Sequence, residues 1–333
     1  MRSIKSLRGI DKARVIHGLR QKGTPWEEIG VTLDEHPEAL RSTLRRYQSD
    51  IDDSISVLSI LDKSFNEDEM LLYSQSKKLI EQINEMERQK GYGKYLLLSD
   101  LHGRYRKNHV IKEGIIEAQN RGIGKAVIAG DLFDFEAISK FSSNKDSNAF
   151  EEKEYAKELL CVLGKIFDTV IMEEGNHEWR LKAEIARNIK NGYKVFFKDI
   201  DAIQMVIDEL REEEGINNIY YPKGNEIILG DVIIAHPKHF SSVPGRTVLD
   251  LIDTYLMDYP NLSALIIGHT HYDLKKMYKG VAAFEVGCTC YEPDYRKGAR
   301  KRKDKWVTAY SFIEITAEGK INYNNSQVIR VDD

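Results

Sequence analysis

The sequence predicts a mixed α/β protein in which two mixed sheets pack together between helices, preceded by a small all-α unit. From residue 94 onward, strand-like apolar runs alternate with stretches of helical periodicity. Two of these runs, 225–229 and 232–235, are separated only by Gly230-Asp231, which is typical of a hairpin. A hairpin among crossover connections argues against a single, purely parallel sheet.

The chain divides into three predicted parts. Residues 1–50 contain three short helical patterns with tight turns and resemble a helix-turn-helix unit of the kind found in phage and recombinase proteins. Residues 51–92 are acidic and then amphipathic, which predicts a helical connector, and residues 93–333 carry the α/β pattern. In that last part, helices are expected near 109–121, 151–166, 178–190, 200–214 and 246–258.

The third N-terminal helix presents basic side chains. Arg41, Arg45 and Arg46 lie on it, and such residues suit contacts with phosphates and base edges. The first 50 residues carry ten Lys/Arg against seven Asp/Glu, so the unit is only mildly basic. We expect it to bind DNA; the alternative is a helical docking or dimerisation module.

Composition narrows the class of protein. The chain has 333 residues, of which 41% are hydrophobic and 31% charged, and a formal net charge of −4. The start Met-Arg-Ser-Ile-Lys has no apolar leader, no run approaches the ~20 apolar residues of a membrane span, and three cysteines show no framework spacing. These features predict a soluble protein of the cytoplasm, the host's if the chain is phage-encoded. Cys288 and Cys290 are expected to be buried thiols on one face of a strand, because a zinc site would need a second cysteine pair.

Five short polar segments follow apolar runs in the α/β part. Their carboxylate, imidazole and amide side chains are metal-ligand types, and strand ends can bring them to one edge of a sheet. The segments are Ser99-Asp100-Leu101-His102, Gly130-Asp131-Leu132-Phe133-Asp134, Gly175-Asn176-His177-Glu178, Ala235-His236 and Gly268-His269-Thr270-His271.

In their order, these segments resemble the calcineurin-like metallophosphoesterase family, whose pattern is D-x-H, G-D-x-x-D, G-N-H-[E/D], H and G-H-x-H. The resemblance spans about half of the chain and implies a two-sheet sandwich with two divalent metal ions. Mn²⁺ is the first expectation, and Zn²⁺ or iron also suit imidazole and carboxylate ligands. The resemblance implies that one ion binds Asp100, His102, Asp131 and His271, and the other Asp131, Asn176, His236 and His269.

The resemblance also implies roles. Asp131 would bridge both ions, with a water or hydroxide between them as the nucleophile. His177 would act as general acid or charge stabiliser, oriented and kept protonated by Asp134. Strand alternation would place Asp100 and His102 on one face, and likewise the two histidines of the last segment. Two alternatives stay open: Asp134 could instead cap the next helix, and His239 could replace His236.

The substrate is expected to be DNA. Phe135-Glu136 stand where protein Ser/Thr phosphatases carry Arg-Gly, and those enzymes lack the G-H-x-H close, so the set resembles the phosphodiesterase and DNA-repair nuclease branches. A basic segment at 296–305 could bind a nucleic-acid backbone or be a solvated loop. Its central residues are Arg300, Lys301, Arg302 and Lys303.

These observations predict a metal-dependent DNA endo- or exonuclease recruited by its N-terminal unit, which would suit a homodimer. One alternative keeps the chemistry and directs it at nucleotides, cyclic nucleotides or a phosphoprotein. Another is a DNA-binding regulator with a vestigial metal site, against which the complete ligand set argues.

Overall fold

The protein is described by a computed structural model that covers residues 9–47, 66–139, 148–189, 193, 197, 200–292 and 306–332. The chain forms two compact units, Met1–Ser74 and Gln75–Asp333. Helices and strands are numbered below in chain order.

Three short helices precede α4 (Asn66–Gln89) among the described residues of the first unit. They are α1 (Gly9–Gln21), α2 (Trp26–Leu33) and α3 (37–47). Asp34 ends α2 in the left-handed conformation, with φ of 57°, which turns the chain sharply towards α3. Gly30 permits this turn because a Cβ there would lie 2.9 Å from the carbonyl oxygen of Glu35. A small apolar core holds the helices together through Ile16, Ile29, Leu33 and Leu40.

The larger sheet of the second unit has six strands. Four neighbouring strands run parallel, and two antiparallel strands extend the sheet at one edge. In chain order the strands are β1 (Gly93–Leu98), β2 (Lys125–Ala129), β3 (Thr169–Glu173), β4 (Ile219–Tyr220), β10 (Ala309–Ile315) and β11 (Gln327–Arg330). The spatial order is β11-β10-β1-β2-β3-β4.

The smaller sheet has five strands in the order β5-β6-β7-β9-β8. Its three inner strands are parallel and its two edge strands antiparallel. The strands are β5 (Glu226–Leu229), β6 (Val232–Ala235), β7 (Ala264–Ile267), β8 (Asp273–Tyr278) and β9 (Val281–Val286). The hairpin predicted from Gly230-Asp231 is therefore confirmed as β5 and β6.

The two sheets pack face to face, because alternate strand residues point to opposite sides. Leu97 of β1 lies in the cluster between the sheets with Ile234 and Phe284 of the other sheet. Its neighbours Leu96 and Leu98 face the helices instead. Helix α4 (Asn66–Gln89) begins in the first unit and ends in the second. The described helices that follow it in the second unit are α5 (Asn108–Asn120), α6 (Ala149–Ile166), α7 (Glu178–Asn188), α8 (Ala202–Glu214) and α9 (Arg246–Asp258).

Helices cover the outer faces of both sheets. Residues of α5, α6 and α8 share a core with the larger sheet, and α9 packs on the smaller one. The predicted two-sheet architecture with outer helices is thus confirmed. Within the described residues, no helix combines the length and apolar character needed to cross a bilayer.

The second half of α4 is fixed to the larger sheet by a buried charge. The Glu87 carboxylate is fully buried, accepts a hydrogen bond from the Tyr95 hydroxyl at 2.5 Å and lies 2.7 Å from Lys125 Nζ. Removing one member of such a pair leaves an uncompensated buried charge.

We therefore expect Glu87→Ala to lower the free energy of unfolding by about 3 kcal/mol, measured by urea denaturation followed by circular dichroism. Glu85→Ala is the matched control on the same helix, because the Glu85 side chain is 46% exposed and its partners Arg88 and Gln89 also lie on the helix surface. Equal effects of the two variants would contradict the importance of the buried pair.

Candidate metal centre

The seven predicted ligands lie just beyond the carboxyl ends of five strands. Asp100 and His102 follow β1, Asp131 follows β2, and Asn176 follows β3. In the smaller sheet His236 follows β6, and the Gly268–His271 segment follows β7. Because these strands run parallel within their sheets, their carboxyl ends meet at one edge of the sandwich.

The backbone that presents these ligands differs from the prediction. Strand β1 ends at Leu98 and β7 at Ile267, so strand alternation does not place the paired ligands. Instead, the chain turns after each strand through residues with positive φ, a region that non-glycine residues seldom adopt. The ligands with this conformation are Asp100 (53°), His102 (51°), Asp131 (52°), His269 (69°) and His271 (57°).

The first predicted group forms a tight, buried cluster. Nε2 of His271 lies 2.8 Å from Oδ1 of Asp100 and 3.5 Å from Nε2 of His102. Oδ2 of Asp131 lies 3.8 Å from the same His102 nitrogen. Such separations between nitrogen and oxygen atoms suit ligands that share one ion with bonds of about 2.0–2.2 Å.

The second group adjoins the first through Asp131. Nε2 of His236 lies 3.3 Å from Oδ2 of Asp131 and 3.2 Å from Oδ1 of Asn176. Nδ1 of His236 lies 2.8 Å from the carbonyl oxygen of Ala129, to which it must donate, so Nε2 is left free to bind a metal. His269 completes the group, with its ligand atom within 4.8 Å of those of Asp131 and His236.

Two buried oxygens indicate that cations belong here. Oδ1 of Asp100 and Oδ2 of Asp131 have no hydrogen-bond partner of acceptable geometry among the described residues. A buried carboxylate oxygen without a donor is costly unless a cation compensates it. Together with the imidazole nitrogens around them, these oxygens fit a centre for two divalent ions.

The electrostatics of the site show what replaces the ions in the metal-free chain. Burial opposes charging, yet the Asp134 hydrogen bond and the surrounding carboxylates raise the pKa of His102 to about 9. Burial likewise opposes charging of His236, while Asp131 raises its pKa to about 10. Burial lowers the pKa of His269 to about 3, so this ring is neutral. Without bound ions, protons on His102 and His236 would offset part of the charge of these carboxylates.

Asp134 orients two histidines, whereas the sequence predicted one. Its Oδ1 lies 3.0 Å from Nδ1 of His102 and 3.0 Å from Nδ1 of His177. A carboxylate behind a ligating histidine fixes the tautomer that leaves Nε2 for the metal. Phe135 holds the cap position of the following helical turn, and its N–H donates to Oε2 of Glu152 at 2.7 Å.

His177 is neutral, contrary to the expectation of a protonated ring. Nη2 of Arg180 lies 2.8 Å from Nε2 of His177, and an arginine can only donate, so Nε2 is the acceptor. The proton therefore sits on Nδ1, which lies 3.0 Å from the carbonyl oxygen of Asp134. Burial lowers the pKa of His177, although Asp131 opposes the shift. No local pattern in the sequence reveals the pairing of Arg180 with His177.

Glu178 holds the loops of the site together. Its carboxylate accepts hydrogen bonds from the backbone N–H of Phe133 at 2.9 Å and of Gly175 at 2.8 Å. Gly175 must be a glycine because a Cβ would lie 2.1 Å from Oδ1 of Asp131. Gly130 is constrained in the same way by His236, whose Nδ1 would be 2.2 Å from a Cβ.

Other predicted residues lie elsewhere. His239 is exposed and belongs to none of the clusters of ligand atoms among the described residues, so it does not replace His236. Arg41, Arg45 and Arg46 lie on α3 of the first unit. The basic residues Arg300, Lys301, Arg302 and Lys303 lie outside the described residues.

The chain belongs to the calcineurin-like phosphoesterase family, whose model matches residues 93–273, just over half of its length. This assignment makes it a member of a hydrolase family that uses divalent metal ions. No curated protein matches the sequence at a significant level.

Solved structures similar to this chain include an archaeal phosphodiesterase, with 13% identity over 72% of this chain and 99% of that one, and a TM-score of 0.39. Yfce, a phosphoesterase from E. coli, shows 14% identity over 72% and 100%, with a TM-score of 0.34. Vps29 from Entamoeba histolytica, complexed with zinc, shows 13% identity over 72% and 98%, with a TM-score of 0.34. The family assignment rests on the family model and not on these remote likenesses.

The protonated state of the metal-free site predicts how metal affinity depends on pH. Because the pKa values of His102 and His236 are raised, each ion must displace about one proton from an imidazole, and this competition weakens as pH rises towards those pKa values. Below about pH 8, we expect the affinity for the ion of the second group to rise roughly tenfold per pH unit, and the affinity for the ion of the first group to rise at least as steeply. Competition with a chelator at several pH values measures how the metal affinity depends on pH.

Calorimetry in two buffers with different ionisation enthalpies counts the released protons independently. His239→Ala should leave the slope unchanged, because His239 lies outside the centre. Metal affinity that does not vary with pH would show that the imidazoles are already neutral.

Proposed function

We propose that the chain is a two-metal phosphodiesterase that cleaves DNA. The observation that carries the proposal is the position of Oδ2 of Asp131, 3.3 Å from Nε2 of His236 on one side and 3.8 Å from Nε2 of His102 on the other. A carboxylate that faces both ligand groups suits a bridge between two ions. When bound, such a pair supplies Lewis acidity and an activated water for in-line attack on phosphorus.

The residues around the ligands then act on the substrate. Arg180 places a permanent positive charge next to His177, close to where a leaving oxygen would develop charge. Fixed cations at such a position stabilise the transition state more than the ground state. Asp134 keeps His177 in place and so acts as a positioning residue.

Aromatic side chains flank both ligand groups, which supports a diester as substrate. Phe240 is 44% exposed, and its ring centroid lies 5.0 Å from that of His269 in the second group. Trp306 packs against His271 of the first group, with ring centroids 3.8 Å apart. Stacking of a base on an aromatic ring contributes about 1–3 kcal/mol. A phosphate with a nucleoside on each side can use both rings, whereas a monoester can use only one.

The N-terminal unit supplies the proposed recruitment to DNA. Arg45 and Arg46 are exposed on α3, the helix that would enter the major groove. Arg41 already has partners within the unit. Its Nη1 lies 2.5 Å from Oε1 of Glu38, and its guanidinium carbon lies 5.3 Å from the centroid of the Trp26 ring. We therefore assign the DNA contact to Arg45 and Arg46, and a homodimer would present two such helices.

A second candidate substrate is a nucleotide, a cyclic nucleotide or a phosphoprotein. The mild charge of the first 50 residues favours it, because ten Lys/Arg against seven Asp/Glu give little general attraction to a polyanion. The same catalytic residues would serve this chemistry.

The deciding experiment measures cleavage of labelled single-stranded and double-stranded DNA, with bis-p-nitrophenyl phosphate in parallel. Mn²⁺ is the first ion to use, because it suits carboxylate and imidazole ligands. We expect the wild type to cut DNA and Asp131→Asn to be inactive on every substrate, because the bridging charge is lost. Asp258→Asn, the same change at an exposed position on α9, should retain full activity.

The outcomes separate the two substrate classes. Cleavage of only the small diester would retain the catalytic assignment and reject DNA in favour of nucleotides or phosphoproteins. Inactivity on every substrate with both ions bound would reject the enzyme and favour the vestigial site.

His177 provides a separate test of the catalytic assignment. His177→Ala should retain two ions per chain and lose about 10²–10⁴-fold in kcat, because it removes a group beside the leaving oxygen but no assigned ligand. Elemental analysis and steady-state kinetics measure the two properties. Because His177 also clusters with His102 and Asp131, loss of an ion from this variant would reassign it as a ligand.

The DNA contact of the first unit has its own test. Arg45→Ala combined with Arg46→Ala should weaken DNA binding for all sequences and reduce the salt slope by about 2 if both residues contact phosphates. Lys77→Ala combined with Lys78→Ala, two exposed positions on α4, is the matched control. An unchanged slope in the arginine variant would reject this unit as the phosphate contact.

A further inference from the structure

A sulfur atom lies beside the first group of metal ligands, which otherwise offers only nitrogen and oxygen atoms. The Cys290 sulfur and the ligand atoms of His102 and His271 all lie within 4.8 Å of one another. Both imidazoles belong to the set that the family pattern assigns to one ion, whereas the cysteine has no place in that pattern. The sequence predicted an inert thiol because it offered no second cysteine pair; the structure supplies two histidines instead.

Backbone hydrogen bonds fix the position of Cys290. The segment 287–291 follows β9 and lies against the loop that follows β1. The Thr289 N–H donates to the carbonyl oxygen of Ser99 at 2.9 Å, and the Tyr291 N–H donates to that of Tyr105 at 2.7 Å. On its other side, the Cys288 N–H donates to the carbonyl oxygen of Val307 at 2.9 Å. Cys290 is therefore held next to the loop that carries His102.

An independent observation marks the same pocket as a cation site. Oδ1 of Asp100 is buried without a hydrogen-bond partner of acceptable geometry among the described residues, and it lies 2.8 Å from Nε2 of His271. Cys290 is only 2% exposed, and the Trp306 ring packs on His271. The pocket thus combines a buried carboxylate oxygen that lacks a hydrogen-bond partner of acceptable geometry among the described residues with a buried thiol.

We propose that Cys290 supplies a thiolate ligand to the ion that Asp100, His102, Asp131 and His271 hold. The sulfur loses its proton to the buffer as the ion binds, so no oxidant or reductant takes part. Because thiolate is a soft ligand, this position selects Zn²⁺ or Fe²⁺ over Mn²⁺. The second group contains only nitrogen and oxygen ligands, so the two positions differ in their metal preference.

Cobalt spectroscopy tests the ligand directly. Among the three cysteines of the chain, the double variant Cys161→Ser/Cys288→Ser leaves Cys290 as the only thiol. We expect the Co²⁺-loaded full-length forms of both this variant and the wild type to show a near-ultraviolet sulfur-to-cobalt charge-transfer band. Cys290→Ser should lose the band, and Cys288→Ser, a buried thiol two residues away, should keep it.

The control for occupancy is the cobalt content together with visible d–d absorption. If the wild type has cobalt in the first position but shows no charge-transfer band, the proposal is overturned. Cys290 would then be a buried neutral thiol. If Cys290→Ser fails to fold, the wild type and the double variant decide the question without it.

Metal selectivity gives a second measurement. Cys290→Ser should weaken Zn²⁺ binding at the first position by at least about tenfold while changing Mn²⁺ binding less, as measured by competition with a chelator. Equal losses for both ions would reject the soft-ligand assignment. Neither measurement depends on the substrate, so failure here leaves the proposed nuclease activity untouched.

Discussion

The organisation of the site depends on one buried carboxylate, that of Asp131. Its backbone carbonyl accepts hydrogen bonds from the N–H groups of Leu101 and His102, both at 2.9 Å. Its Oδ1 accepts the N–H of His177 at 2.9 Å, which leaves Oδ2 to face both ligand groups. One residue therefore joins the loops after β1, β2 and β3. Because its second oxygen has no hydrogen-bond donor of acceptable geometry among the described residues, the arrangement is complete only when cations, or protons on neighbouring imidazoles, compensate the charge.

The rest of the sandwich holds the strained loops that carry the ligands. Left-handed conformations in non-glycine residues cost about 1–3 kcal/mol each and persist only where the surroundings determine them. Here the loops bond to one another: the His269 N–H donates to Oδ2 of Asp100, joining a loop of the smaller sheet to one of the larger. The strands behind these loops are packed on both faces of the larger sheet, so they cannot shift to relieve the strain. The ligand atoms are thus preorganised before any ion binds.

Much of this arrangement could be predicted from the sequence, because it depends on patterns of residues that are close together in the chain. Apolar runs followed by polar segments indicated the strands, and the ordered motifs indicated the ligands. What depends on distant contacts could not be predicted. The predicted strand from Ala282 to Cys290 ends at Val286, because Gly287 adopts φ of 72°. The pairing of Arg180 with His177 depends on the conformation at the start of α7. Likewise, no local pattern indicates that the Cys290 sulfur lies close to His102.

The neutral state of His177 also constrains how a poor leaving group could be expelled. Cleavage of DNA releases a sugar alkoxide, which needs a proton or a nearby positive charge. An anionic phosphate is a stronger acceptor for Arg180 than a neutral imidazole, because hydrogen bonds between charged groups are roughly twice as strong. Transfer of the Arg180 hydrogen bond to bound phosphate would free Nε2 of His177 and favour its protonation beside the new negative charge. On this argument, binding of the substrate would let His177 take up a proton from solvent and donate it to the leaving oxygen, so that Arg180 and His177 would act as one unit.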